Sequence, residues 1–324
     1  MTISLPEVVS ALDMLQITSL DALQLIDAAA IGQQHYPLFN PSTPTLIVGL
    51  QGAGLPNVRR LLLQAYEPTH TVTLIASAPV VMALDHLDGD MNGSALYVPP
   101  RGTPSSYEAL QNVSARLRAP DGCPWDRELT WDSLRPFLLE ETYELLAALD
   151  ARDPRKVMEE QGDLLLQIAL QAQIAAESGQ FRFPDVIAHI VDKLVRRHPH
   201  VFGEVAVNGT DEVLANWEAI KAAERAANGA RRSPLAGIPP GLPALAQAES
   251  YLDRMSRLRS AVPSPEPWGR LAALGPDEPL TPEVLGQALF ELVGWALARG
   301  VESESALREA TASFAAQVAT EGWG

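Results

Sequence analysis

Apolar spacing along the chain passes from an α/β front to helical periodicity, and a linker then divides the helical part into a middle and a tail. Pro6–Leu15 and Leu20–Ile31 place apolar residues at helical intervals. Thr43–Leu50 (TPTLIVGL), Thr71–Ala76 (TVTLIA) and Ser94–Val98 (SALYV) are short β-branched runs of the kind that fill buried strands. Pro56–Tyr66 between the first two is helical, and that βαβ order predicts a parallel or mixed sheet. The QGAGLPN turn after the first strand lacks the glycine spacing of a phosphate-cradling loop and reads as a tight turn. A Pro/Gly/Ser-rich stretch, VPPRGTPSS, closes this front.

Helical periodicity takes over at Tyr107–Arg118 and, after the loop APDGCPWDRELT, resumes behind a capping Thr130 or Asp132. It continues through Phe137–Leu170, Phe183–Arg197 and, past a HPHVFGE turn, Thr210–Asn228. A second linker, GARRSPLAGIPPGL, separates the tail helices Ala244–Arg259, Pro282–Ala298 and Ser303–Thr320. The expected organisation is multi-domain: a small α/β domain over 1–104, an all-α bundle over 105–228 and a second all-α unit over 229–324.

Six carboxylates interrupt the apolar frame of the middle segment. Glu140, Glu141 and Glu144 fall on one helical arc of roughly 100°. Glu159, Glu160 and Asp163 repeat the same i, i+1, i+4 pattern on the next helix. Between them DARDP is a short connection with Asp153 as N-cap and Pro154 at the first helical position, so the helices become antiparallel neighbours and their acidic arcs face. Carboxylates crowded into a partly dry groove repel, so either their pKa values rise or a cation neutralises them. An all-oxygen set with no His or Cys suits a hard divalent ion, Mg²⁺ or Mn²⁺, better than zinc.

Composition narrows the partners. The 324 residues are 47% apolar and 20% charged, as in soluble globular proteins. A net charge of −16 argues against nucleic acid or an anionic membrane, and an anionic substrate would need metal and a local basic patch. A single cysteine, Cys123, excludes an intrachain disulfide and fits a reducing cytoplasm. The N-terminus does not read as a signal peptide and no apolar run is long enough to span a bilayer, so a cytoplasmic location is expected.

The acidic blocks, with several others, resemble the MazG family of nucleoside triphosphate pyrophosphohydrolases. The family's EExxE…ExxD pattern stands here as Glu140-Glu141-Thr142-Tyr143-Glu144 and Glu160-Gln161-Gly162-Asp163. LRAPDGCPWD, TWDSL, GDLLLQ, DKLVRRHPHVFGE and NWEAIKAAER agree as well, so the resemblance runs from Leu117 to about Ala227. It implies an all-α bundle, assembled as a homodimer, that uses Mg²⁺ to hydrolyse a nucleoside triphosphate to the monophosphate and pyrophosphate. By the same resemblance Glu141, Glu144, Glu160 and Asp163 hold the metal and Glu140 orients water or holds a second ion. Lys193, Arg196 and Arg197 meet phosphates, Arg118 and Trp125 lie near base and sugar, and Lys221 is a further substrate contact. His198 and His200 read as structural. The rival readings are an enzyme restricted to one nucleotide such as dUTP or dCTP, and a non-catalytic nucleotide sensor or scaffold.

Outside the middle segment two weaker resemblances appear. LQLIDAAAIG, TPTLIVGL, LLLQAY and SALYVPP are similar to the C-terminal half of a tetrapyrrole methylase domain. The Gly-rich half that grips S-adenosylmethionine has no counterpart there, so an assembly role without methyl transfer is expected. In the tail, Glu283–Phe290 lines up with Glu159–Leu166, with Val284 in place of Glu160 and Gln287 in place of Asp163. This is the mark of a second MazG-like unit that has lost its ligands, with no counterpart to Glu140, Glu141 and Glu144 expected.

Overall fold

The computed structural model describes residues 3–31, 34–50, 54–227, 235–257 and 280–321. Packing divides the chain into two units, Met1–Phe183 and Pro184–Gly324.

The first unit opens with a five-stranded mixed sheet of β1 (Gln24–Asp27), β2 (Thr45–Val48), β3 (Thr71–Ile75), β4 (Pro79–Ala83) and β5 (Ala95–Val98). Their spatial order is β1-β2-β5-β3-β4. Among the described residues only β1 and β2 pair in parallel, and β5 runs antiparallel between β2 and β3. Thus β2 and β3 point the same way across the helical crossover α3 (Leu55–Leu62), as their sequence order predicts, but β5 separates them. The alternation of side chains sorts the core. Ile47, Val72, Leu74, Leu96 and Val98 meet the buried face of α3, while Leu46, Val48, Ile75 and Ala95 meet α1 (Leu5–Met14) on the other face.

Two local expectations change here. Leu20–Ile31 is not one helix: Gln24–Asp27 is extended and only α2 (Ala28–Ile31) is helical. Backbone pairing with Thr45–Val48 captures the extended segment, and the Gln24 amide donates to the Asn40 carbonyl at 2.8 Å and to Thr45 Oγ1 at 3.0 Å. Asp27 then caps the short helix, accepting from the Ala29 amide at 2.9 Å. The strand Pro79–Ala83 was also unexpected, and its leading proline suits the sheet edge it occupies.

The helices of the acidic segment follow. After α4 (Tyr107–Arg118) and α5 (Pro124–Glu128) come α6 (Trp131–Asp150) and α7 (Pro154–Glu177). Thr130 and Ser133 cap α6 reciprocally, each side chain accepting from the other's amide. At its far end Arg152 takes φ +52°, turning the chain, and Asp153 accepts from the amides of Arg155 and Lys156 to start α7. Leu129, Leu134 and Leu170, with Phe137, Leu166 and Ile174, form the apolar seam that locks the helices together. Each fully buried leucine there contributes about 1.5–3 kcal/mol. On the other flank of α7, Arg118 of α4 is nearly inaccessible. It forms a bidentate pair with Glu177 and donates to the carbonyls of Asp126 and Leu129.

The second unit is helical, with α8 (Phe183–Arg197) crossing into it, α9 (Pro199–Phe202), α10 (Thr210–Ala227), α11 (Ala244–Arg257), α12 (Pro282–Leu297) and α13 (Ser303–Glu321). Thr281 caps α12, and Glu249 of α11 accepts from the Ser303 amide at the start of α13. The expected helix 244–259 is helical through Arg257, and its last two residues lie outside the described residues. No helix among the described residues is long and apolar enough to cross a membrane.

Candidate metal centre

The α6–α7 hairpin carries acids from both helices into one cleft. One carboxylate oxygen each from Glu141, Glu144 and Glu160 lies within 4.8 Å of the other two. Glu160 is buried, Glu141 half-buried and Glu144 exposed, so the group lines a groove with a dry floor and a wet rim. Asp163 stands outside this trio but near enough for its charge to act on both Glu141 and Glu160. Glu140 and Glu159 point to solvent and add repulsion to Glu141 and Glu160 respectively.

Burial, reinforced by the carboxylates of Asp163, Glu144, Glu140 and Glu160, raises the pKa of Glu141 above the ordinary carboxylate value. Glu160 is raised in the same way, first by burial and then by Glu144 and Glu159. One cation opposes this. Lys156, one turn before Glu160, lowers it. The cluster is therefore under-neutralised, and its donors are all oxygens. An octahedral Mg²⁺ shell is about 4.2 Å across, so three oxygens within 4.8 Å need only small side-chain rotations to share one ion. The residues present fit a hard divalent cation.

Trp125 of α5 is exposed and sets its ring edge-on against Phe137, with centroids 5.9 Å apart. Phe137 precedes Glu141 by one turn of α6, so an open indole flanks the acidic groove. Arg118 has a different surrounding from the one expected beside a base and sugar. Its donors are engaged by Glu177, Asp126 and Leu129, and this holds α4, α5 and α7 together.

The expected phosphate-binding cations lie in the second unit. Arg196 and Arg197 both pair with Glu224 of α10, and Arg197 is the main cause of that carboxylate's lowered pKa. Lys221 pairs with Glu218 at 3.0 Å and rides 4.3 Å above the Trp217 ring, which Arg197 also approaches. Lys193 is half-buried on α8. His198 bonds the Leu194 carbonyl through Nδ1 at 2.7 Å, as a structural turn residue does.

Three residues escape the sequence reading. Lys156 belongs to the same helical face as Glu160, and i, i+4 spacing was the signal for it. Trp217 sits in the NWEAIKAAER block, beneath Lys221. Gln167 ends the GDLLLQ block and is buried two turns beyond Glu160.

Residues 129–202 match the MazG nucleotide pyrophosphohydrolase domain. A nucleoside triphosphate pyrophosphohydrolase of Escherichia coli strain K12 is 38% identical over 225 residues, which cover 65% of this chain and 84% of that protein. The Thermotoga maritima nucleoside triphosphate pyrophosphohydrolase/pyrophosphatase MazG is 39% identical over 218 residues, 64% of this chain and 82% of its own. An uncharacterized Bacillus subtilis protein, YabN, is 34% identical over 249 residues, and the match takes in 73% of this chain but half of that protein's length.

Proposed function

The chain belongs to the MazG family of nucleotide pyrophosphohydrolases, and on that premise we propose that its α6–α7 cleft hydrolyses nucleoside triphosphates to the monophosphate and pyrophosphate. The observation that carries this reading is the meeting of Glu141, Glu144 and Glu160 from two helices within 4.8 Å, with upward-shifted carboxylates and no His or Cys. Together with Asp163 they are the residues that would hold Mg²⁺, or Mn²⁺ in its place. The ion supplies Lewis-acid polarisation of phosphate oxygens and neutralises charge on the leaving group.

The protein's own groups do the rest. Glu140, at the rim and acceptor-only when ionised, aligns a water for attack at the α-phosphorus and takes up its proton. An oxygen–phosphorus bond forms there as the bond to the bridging oxygen of pyrophosphate breaks. Lys193, Arg196 and Arg197, with Lys221 as a further substrate contact, are the cations that the family resemblance assigns to the phosphates, where positioning and charge absorption supply most of the acceleration. Trp125 offers an exposed face for the base, and Arg118 steadies the frame beneath it. Exposed Leu139 and Tyr143 on α6 and Leu165 on α7 are the surface through which a second copy completes a homodimer. Residues 1–104 and 229–324 serve packing and assembly in this reading, with catalysis confined to 105–228.

Pyrophosphate release against a panel of ordinary and modified nucleoside triphosphates, with Mg²⁺ and with EDTA, tests the proposal. Turnover that needs Mg²⁺ supports it. Nucleotide binding without pyrophosphate release would instead identify a sensor.

A further inference from the structure

Gln167 is buried, 6% exposed, and its Oε1 has no hydrogen-bond partner among the described residues. An amide in that state bears a desolvation penalty that an apolar side chain of the same size would avoid. The neighbouring seam of Leu166, Leu170 and Phe137 is apolar, so packing alone gives no reason for an amide. Its place on the helix gives one. Gln167 follows Glu160 by seven residues and Asp163 by four, which sets it within about 20° of Glu160 on the same side of α7. Helical side chains lean toward the N-terminus, so this amide leans toward the turn that carries both acids. Across the hairpin it falls between the level at which the Asp163 charge acts on Glu141 and the apolar cluster that holds Leu134 and Leu170.

We propose that Gln167 is a positioning residue of the carboxylate site, its amide oxygen accepting a hydrogen bond from a water in the shell of the divalent ion held by Glu141, Glu144 and Glu160. The inference rests on the metal reading above. It explains why a buried amide oxygen without a protein partner stands on the same side of α7 as Glu160: its partner arrives with the ion. Such outer partners orient the bound water and hold the ion's geometry.

The test is Mn²⁺ affinity, read by the loss of the free-ion paramagnetic signal without nucleotide, together with the melting temperature of metal-free protein. Gln167→Met is expected to melt at or above the native temperature while its Mn²⁺ dissociation constant rises about tenfold. Gln167→Glu, which keeps an acceptor oxygen at the same reach, is expected to stay within about threefold of native affinity. A Met variant that keeps native affinity, melts well below the native protein or fails to fold makes the amide structural and overturns the proposal. So does a Glu variant that loses as much affinity as the Met variant. Glu160→Gln serves as the control: if it binds Mn²⁺ as the native chain does, the metal reading has failed rather than the role of Gln167.

Discussion

The α6–α7 hairpin and the α11–α12 pair of the tail use similar sequence to opposite ends. Glu159–Leu166 of α7 lines up with Glu283–Phe290 of α12, and each helix packs on a preceding helix that bears acids four residues apart. In the tail those acids are Glu249 and Asp253 of α11, a pair the sequence reading did not anticipate. Both have protein partners: Glu249 accepts from the Ser303 amide and Asp253 pairs with Arg257 at 2.8 Å. Gln287, in the place of Asp163, donates to Glu291 at 3.1 Å. In the hairpin, by contrast, Glu141, Glu144 and Glu160 are left facing one another with Lys156 as their modest counterweight. Helix pairing thus rests on the apolar seam in both places, while acids left without protein partners distinguish the hairpin. The shared glycine is not the link: at both Gly162 and Gly286 a side chain would meet nothing within 4 Å.

Removing the unanswered charge gives the largest effect. Glu160→Gln is expected to lower pyrophosphate release by at least about 1,000-fold, a loss of roughly 4 kcal/mol of transition-state stabilisation, while circular dichroism stays native. Next comes the frame. Arg118→Met removes the partner of Glu177 and two carbonyl contacts, and urea unfolding should show about 2 kcal/mol of lost stability, discounted because Glu177 is partly solvated.

The pH dependence sharpens the contrast further. Glu141 and Glu160 are raised above 4.5, so the metal-free fold binds protons more tightly than the unfolded chain. Their stabilising contribution is complete below that value and is lost as pH rises through the raised ones. Metal-free Glu160→Gln should therefore melt above the native protein at neutral pH, and the difference should vanish near about pH 4. The smallest effect is expected in the tail. Restoring acids by Val284→Glu with Gln287→Asp should change stability by no more than about 1 kcal/mol and create no Mn²⁺ site, because Glu249 and Asp253 are already engaged. A titration showing a second Mn²⁺ would break the comparison.

The hairpin was legible because its information is local: the repeated acid spacing, Asp153–Pro154 at a helix start and a connection too short for anything but antiparallel neighbours. What escaped depends on distant partners. Gln24–Asp27 looks helical until Thr45–Val48 pairs with it, and β5 enters between β2 and β3 from the far end of the domain. The Arg118 pairing with Glu177, 59 residues away, likewise has no local signal in the sequence. Gln167 was invisible for another reason: its interest lies in a bond it does not make.

The central claim is that acids from both α6 and α7 are needed for one ion. A Mn²⁺ titration of the native chain beside Glu144→Gln and Glu160→Gln addresses it most directly. Saturable binding by the native protein, lost when either helix is disarmed, is the predicted result. Native-like Mn²⁺ binding by either variant would contradict it.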